Sequence, residues 1–148
     1  MEYYTRNRKY KKEYGKDGAY IMDKRLYGIR GAVCTENNAS SITENVCALC
    51  SALFSQNGIA AGDIVSIQFT VTDDIDALNP AAALRKENAG IDVSECALFC
   101  SSEPRMKNSL ARVVRVLVTA YMNEGSLPHH VYLNGAEVLR PDFAYGKK

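Results

Sequence analysis

Arg115 is the residue best placed to do chemistry. It stands inside VVRVLVT (113–119), a run that must be buried on at least one face. A guanidinium there loses hydration and needs an acidic or ligand partner. An internal ion pair, an arginine reaching the rim of the fold and a cation held for a bound anion all fit, and the residue pattern leaves these readings open. Arg112 lies three residues earlier. On a strand it would face the opposite side, roughly 10 Å along, which turns one of the two toward solvent. Glu103, in CSSEPR (100–105), is the nearest acid. By itself it reads as a loop carboxylate before Pro104.

Other candidates are weaker. Cys47-x-x-Cys50 has the look of a redox or zinc half-site, but it falls on the apolar side of a predicted helix and no second pair of ligands follows. Structural thiols account for it. His129 and His130 are adjacent, so on a strand they point apart and do not chelate together. The sequence carries no G-x-S-x-G, phosphate loop, dinucleotide fingerprint or zinc quartet. What is left is an arginine set, Arg30, Arg85, Arg115 and Arg140, with Tyr132 as a hydrogen-bond donor. Guanidinium forks match carboxylate geometry, so the set suits a small dianion.

The elements that position these residues follow from periodicity. LYGIRGAVC (26–34) reads as a strand. Ser41 and Glu44 have capping-box spacing at a helix start. Ile42, Val46, Leu49, Leu53 and Phe54 recur at helical intervals, and Asn57-Gly58 ends the helix. From Asp63 to Thr72 the period changes to two: Val65, Ile67, Phe69 and Val71 alternate with Ser66, Gln68, Thr70 and Thr72. Pro80 opens a short helix over 81–88, with Gly90 as its stop. Residues 96–101 form a strand. The valine-rich segment 110–121 favours strand over helix. Residues 130–133 and 136–139 flank Asn134-Gly135, the signature of a hairpin. The predicted class is α+β, a mixed sheet with helices on one face. The other face also needs cover, which subunit packing provides.

Bulk properties bound the function. The chain has 148 residues, 47% hydrophobic and 24% charged, enough for one domain with its own core. The net charge of +1 gives no overall pull toward nucleic acid or anionic lipid. No apolar run approaches the roughly 20 residues of a membrane span. Five cysteines and no secretory leader predict free thiols in the cytoplasm. Residues 1–25 are expected to be a basic, tyrosine-rich, solvated extension, and 26–148 the domain.

In order and spacing, GIRGA (28–32), DDIDALNPAAALR (73–85), CSSE (100–103), VVRVLV (113–118) and HVYLNGAEVLRPD (130–142) resemble the small trimeric chorismate mutases of the AroH class. The resemblance implies a homotrimeric pseudo α/β-barrel with active sites at subunit interfaces. It implies conversion of chorismate to prephenate without cofactor or metal. By position, Arg115 matches the arginine that approaches the substrate's ether oxygen, and Glu103 and Cys100 match residues near its ring hydroxyl. Arg30 and Tyr132 match carboxylate-binding positions, and Arg85 and Arg140 arginines at the site mouth. Ala81, Phe99 and Leu139 fall at wall positions. The sequence departs from the family at Asn79, where an aromatic is common, and at Ala82, where a lysine is common. Arg85 is expected to compensate for the missing charge.

Two other classes fit less of the sequence. A trimeric enamine/imine deaminase would also set an arginine against a carboxylate, but it needs a positioned water. A non-catalytic dianion-binding trimer would bind without turnover.

Overall fold

The computed structural model describes residues 13–14, 16–18, 20–21 and 23–144. Most of the basic extension, with the reading of it as a solvated tail, lies outside the described residues. A two-residue antiparallel pair, β1 (Glu13–Tyr14) and β2 (Tyr20–Ile21), precedes the main fold. There follow β3 (Lys24–Cys34), α1 (Ala39–Gln56), a 3-10 turn (Ala61–Asp63), β4 (Ile64–Val71), α2 (Pro80–Glu87), β5 (Ala97–Ser102), β6 (Val113–Asn123) and β7 (Val131–Leu133). A second 3-10 turn (Ala136–Leu139) and α3 (Pro141–Ala144) end the described chain. The main sheet has five strands in the order β5-β4-β6-β3-β7. The β4/β6 and β6/β3 pairs are antiparallel, while β5/β4 and β3/β7 are parallel. The sheet is mixed and the class is α+β. Its first strand takes in Lys24 and Arg25, two residues earlier than the sequence periodicity indicated.

The core lies between this sheet and the two longer helices. Ile42, Val46, Leu49 and Leu53 of α1 and Leu84 of α2 pack with Ile29, Val33, Ile67, Phe69, Val114, Val116 and Val118. Side chains of this size stabilise by roughly 1.5–3 kcal/mol each when fully buried. α1 comes close to β3 at Gly31. A Cβ there would sit 2.8 Å from the Val131 carbonyl oxygen and 2.9 Å from Leu49 Cδ1. The glycine therefore sets how tightly helix and sheet can approach.

Several local expectations are corrected. α1 is capped by Asn38, not Ser41. The Asn38 backbone is extended, and its side chain accepts from the Ser41 N–H at 2.9 Å. Ser41 Oγ instead accepts from the Glu36 N–H at 3.0 Å. In β4 the predicted inward set loses Val65, which is 46% exposed, because the pairing slips between Ile64 and Ser66. α2 stops at Asn88, whose positive φ of 57° leaves the helical conformation before Gly90 is reached. Arg112 lies outside β6 with φ 52°. Its N–H donates to the Asp74 carboxylate, and its guanidinium pairs with Glu36.

The hairpin expected at Asn134-Gly135 does not form. Both residues have positive φ, 53° and 98°, as that pair favours, but the chain then enters a 3-10 turn. Asn134 Nδ2 donates to the Cys34 carbonyl at 2.8 Å, which ties the turn to β3. Ala136 packs with Ala32, Val113 and Tyr132. Burying that alanine under the sheet takes the place of a returning strand.

Candidate active site

Strand register assembles the site. Tyr132 pairs with Ala32, Ala32 with Arg115, Arg115 with Thr70 and Thr70 with Ser101. These residues form one row across all five strands. Paired residues project to the same side of a sheet. The neighbouring row is Arg30, Leu117, Gln68 and Phe99. Both rows lie on the face that α1 and α2 leave uncovered. Two arginines that are 85 residues apart in sequence thus share one surface, and Ala32 is small enough to leave room beside Arg115.

Glu103 completes the centre. It follows β5, and its N–H donates to the Val71 carbonyl at 2.7 Å. Its Oε1 accepts from Thr70 Oγ1 and lies 2.9 Å from Arg115 Nε. That Nε is buried, yet its N–H has no well-aligned acceptor among the described residues. The contact is therefore electrostatic rather than a directed hydrogen bond. The Arg115 side chain stays 34% exposed, so its guanidinium is held by an acid at one end and open at the other. A cavity of about 240 Å³ opens beside it, lined by Arg30, Gln68, Thr70, Arg115, Val116 and Leu117. This is smaller than the roughly 300–1,000 Å³ usual for ligand pockets.

The β7 end of the same face is covered by the C-terminal turn. Tyr132 is buried with Ala32, Val113 and Ala136, and Leu139 packs against them. The Phe143 ring stacks on Tyr132 at 6.4 Å and meets His130 edge-on at 4.6 Å. Arg140 lies 3.9 Å over Phe143 and pairs with Asp142 at 2.8 Å. The hydrogen bond to Asp142 raises the Arg140 pKa. His130 Nδ1 accepts from the Arg30 N–H at 3.0 Å. Burial, followed by the charges of Arg30 and Arg140, lowers the His130 pKa and favours this neutral, accepting form.

The remaining candidates are carried elsewhere in the chain. Ala81 is buried in the core at the start of α2, and Arg85 is exposed on the last turn of that helix. Cys100 pairs in register with Phe69 and packs against the core, on the side of the sheet away from Arg115. Burial raises its thiol pKa. Phe99 is 62% exposed on the open face, at the edge strand. Asn79, a departure from the resembled family, caps α2 by accepting from the Ala81 N–H at 2.9 Å. Cys47 and Cys50 stay free, with Cys50 buried and its pKa strongly raised by burial. Thr70 and Gln68 were legible in the sequence only as the polar side of a strand, and no further signal marked them as pocket residues.

Among the described residues no group of His, Cys, Asp and Glu is arranged to hold a metal ion. Among the described residues no helix is long and apolar enough to cross a membrane.

The family described as chorismate mutase type I matches residues 26–143. The chain is 34% identical over 120 residues to the chorismate mutase AroH of Thermus thermophilus, covering 78% of this chain and 93% of that protein. It is 29% identical over 127 residues to the chorismate mutase AroH of Bacillus subtilis, covering 82% and 95%. The solved chorismate mutase of Clostridium thermocellum superposes with a TM-score of 0.67 at 36% identity, covering 76% of this chain and 98% of that one. The chain belongs to the type I chorismate mutase family, the AroH class.

Proposed function

We propose that the chain rearranges chorismate to prephenate in the cavity beside Arg115, and that a second copy of the chain completes each site. The observation that carries this is the guanidinium of Arg115, fixed on a central strand by Glu103 and open toward a cavity that also holds Arg30. The rearrangement is unimolecular. A carbon–oxygen bond breaks as a carbon–carbon bond forms, no proton moves, and no cofactor or nucleophile is called for. Substrate must be held compact with its two carboxylates anchored, a positioning contribution. Arg30 is an anchoring cation with Tyr132 as a donor beside it, and Arg85 and Arg140 stand at the site mouth. As the ether bond stretches, negative charge grows on its oxygen. Arg115 binds that charge better in the transition state than in the ground state.

The site residues fall into two groups. Arg30, Glu103, Arg115, Tyr132, Leu139 and Arg140 belong to the open face and its covered end. Ala81, Arg85, Phe99 and Cys100 belong to α2 and the edge strand β5. In the proposed assembly the α2–β5 edge of one copy closes the cavity of the next, in a homotrimer. Leu26, Phe99, Leu117 and Tyr121 support it: they are 47, 62, 38 and 46% exposed on the open face, an apolar surface suited to burial between chains. The free thiols at all five cysteines suit the reducing cytoplasm.

Incubation of purified protein with chorismate, followed by loss of its ultraviolet absorbance, is expected to show turnover, with a mass in solution of three chains. Unchanged chorismate would sink the proposal. Ammonia release from an imine substrate would favour the deaminase class instead.

A further inference from the structure

We propose that Thr70 is a positioning residue for this rearrangement: its hydroxyl fixes the Glu103 carboxylate so that Arg115 stays aimed into the cavity and Glu103 Oε2 is left for the substrate's ring hydroxyl. The inference rests on the function proposed above and adds a residue that carries no charge and needs no contact with substrate.

Three observations converge on Thr70. Its Oγ1 donates to Glu103 Oε1, the same oxygen that lies 2.9 Å from Arg115 Nε. It pairs in register with Arg115 itself, so acid, arginine and hydroxyl meet at one point. It also lines the cavity. The arginine alone does not orient the carboxylate, because its buried Nε–H has no aligned acceptor. That contact fixes a distance and not a direction. The threonine hydroxyl supplies the direction.

Thr70 is well built for this. β4 is hydrogen-bonded on both sides, to β5 and β6, so the backbone beneath Thr70 is fixed. A β-branched side chain is stiff at χ1, so the hydroxyl is held too. Glu103 lies just beyond the end of β5, and its backbone is tied by the bond to Val71 O. Its side chain has several rotatable bonds and would lose its set orientation without a partner at Oε1. The hydrogen bond from Thr70 falls on Oε1, not on Oε2.

The test compares Thr70→Val, which keeps the shape and removes the donor, with Thr70→Ser, which keeps the donor. Steady-state kinetics on the full chain give kcat and KM separately, and circular dichroism reports folding. The valine variant is expected to lose about tenfold in kcat, the scale of one hydrogen bond to a charged group, with little change in KM. Serine is expected to recover most of that loss. In a Glu103→Ala background the valine substitution should cost nothing further, because the two residues act through one interaction. Thr70→Ala, read the same way, replaces the valine variant if the latter does not fold. Wild-type kcat in the donor-less variant, failure of serine to rescue, or an equal loss in the Glu103→Ala background would overturn the inference. An active wild type with an indifferent Thr70→Val rejects this inference alone, whereas an inactive wild type rejects the functional proposal beneath it.

Discussion

Truncation of Arg115 to alanine tests the centre of the proposed chemistry. The substitution removes the guanidinium beside the cavity and leaves Glu103 with Thr70 as its side-chain partner. Loss of one pre-organised donor at a developing oxyanion costs about 3–4 kcal/mol, roughly two to three powers of ten in rate. Arg115 brings a full charge next to Val116 and Leu117, whose apolar bulk keeps the local dielectric low. The expected fall in kcat is therefore at the upper end, about a thousandfold or more. KM should change less, because the interaction is strongest in the transition state.

The fold should tolerate the change. The side chains of the Arg115–Glu103 pair are 34 and 19% exposed, so water reaches part of the pair, and Glu103 keeps Thr70 as a partner when the arginine is removed. The partly buried carboxylate left behind should cost about 1–3 kcal/mol, a melting shift of several degrees. Rate loss and unfolding are thus separable by measuring chorismate turnover beside a thermal melt. Arg115→Lys should recover part of the rate, since it restores charge without the planar fork. A folded Arg115→Ala enzyme that keeps kcat within about threefold of wild type would refute the electrostatic reasoning.

Other perturbations address the scaffold. Leu117→Glu combined with Tyr121→Glu places charge on the exposed apolar face, and light scattering should show the mass falling to a single chain with activity lost. An intact trimer would exclude that face as the interface. Gly31→Ala drives a methyl against the Val131 carbonyl and Leu49 at under 3 Å, so it should destabilise by about 1–3 kcal/mol in urea unfolding. A neutral result would mean that α1 can shift. His130 is held below its ordinary pKa of 6.5, so below that pH the unfolded chain binds a proton that the folded chain resists. Stability should then fall as pH drops from 6.5 toward the folded value, seen as a lower urea midpoint at acid pH. His130→Gln should shrink that fall, and an unchanged pH dependence in the variant would reject the assignment.

Much of the fold is encoded locally. The strand and helix segments carry their periods openly: β6 through its valine run, α1 through apolar residues at helical intervals, β4 through alternation at Ile67 and Phe69. Such patterns arise because each element must bury one face, and burial acts on neighbours in sequence. The motifs GIRGA, CSSE and VVRVLV also carry the family, which the match over residues 26–143 shows. Capping and turn outcomes were less accessible. Asn38 won the helix cap from Ser41, and the Asn134-Gly135 turn led into a 3-10 turn, because contacts with β3 and α1 decided them.

The meeting of Arg115, Glu103 and Thr70 belongs to a different level. Their positions in sequence say nothing of strand order or register, and register alone puts Thr70 opposite Arg115 and Tyr132 beyond Ala32. The same geometry divides the candidates, with Cys100 and Ala81 turned to the core and Arg30 to the open face. Pairing between distant strands is set by how the whole sheet closes over its helices, an energy shared among residues far apart in the chain. That is why the candidate groups could be named from the sequence, while the row that aligns them came from the packed sheet.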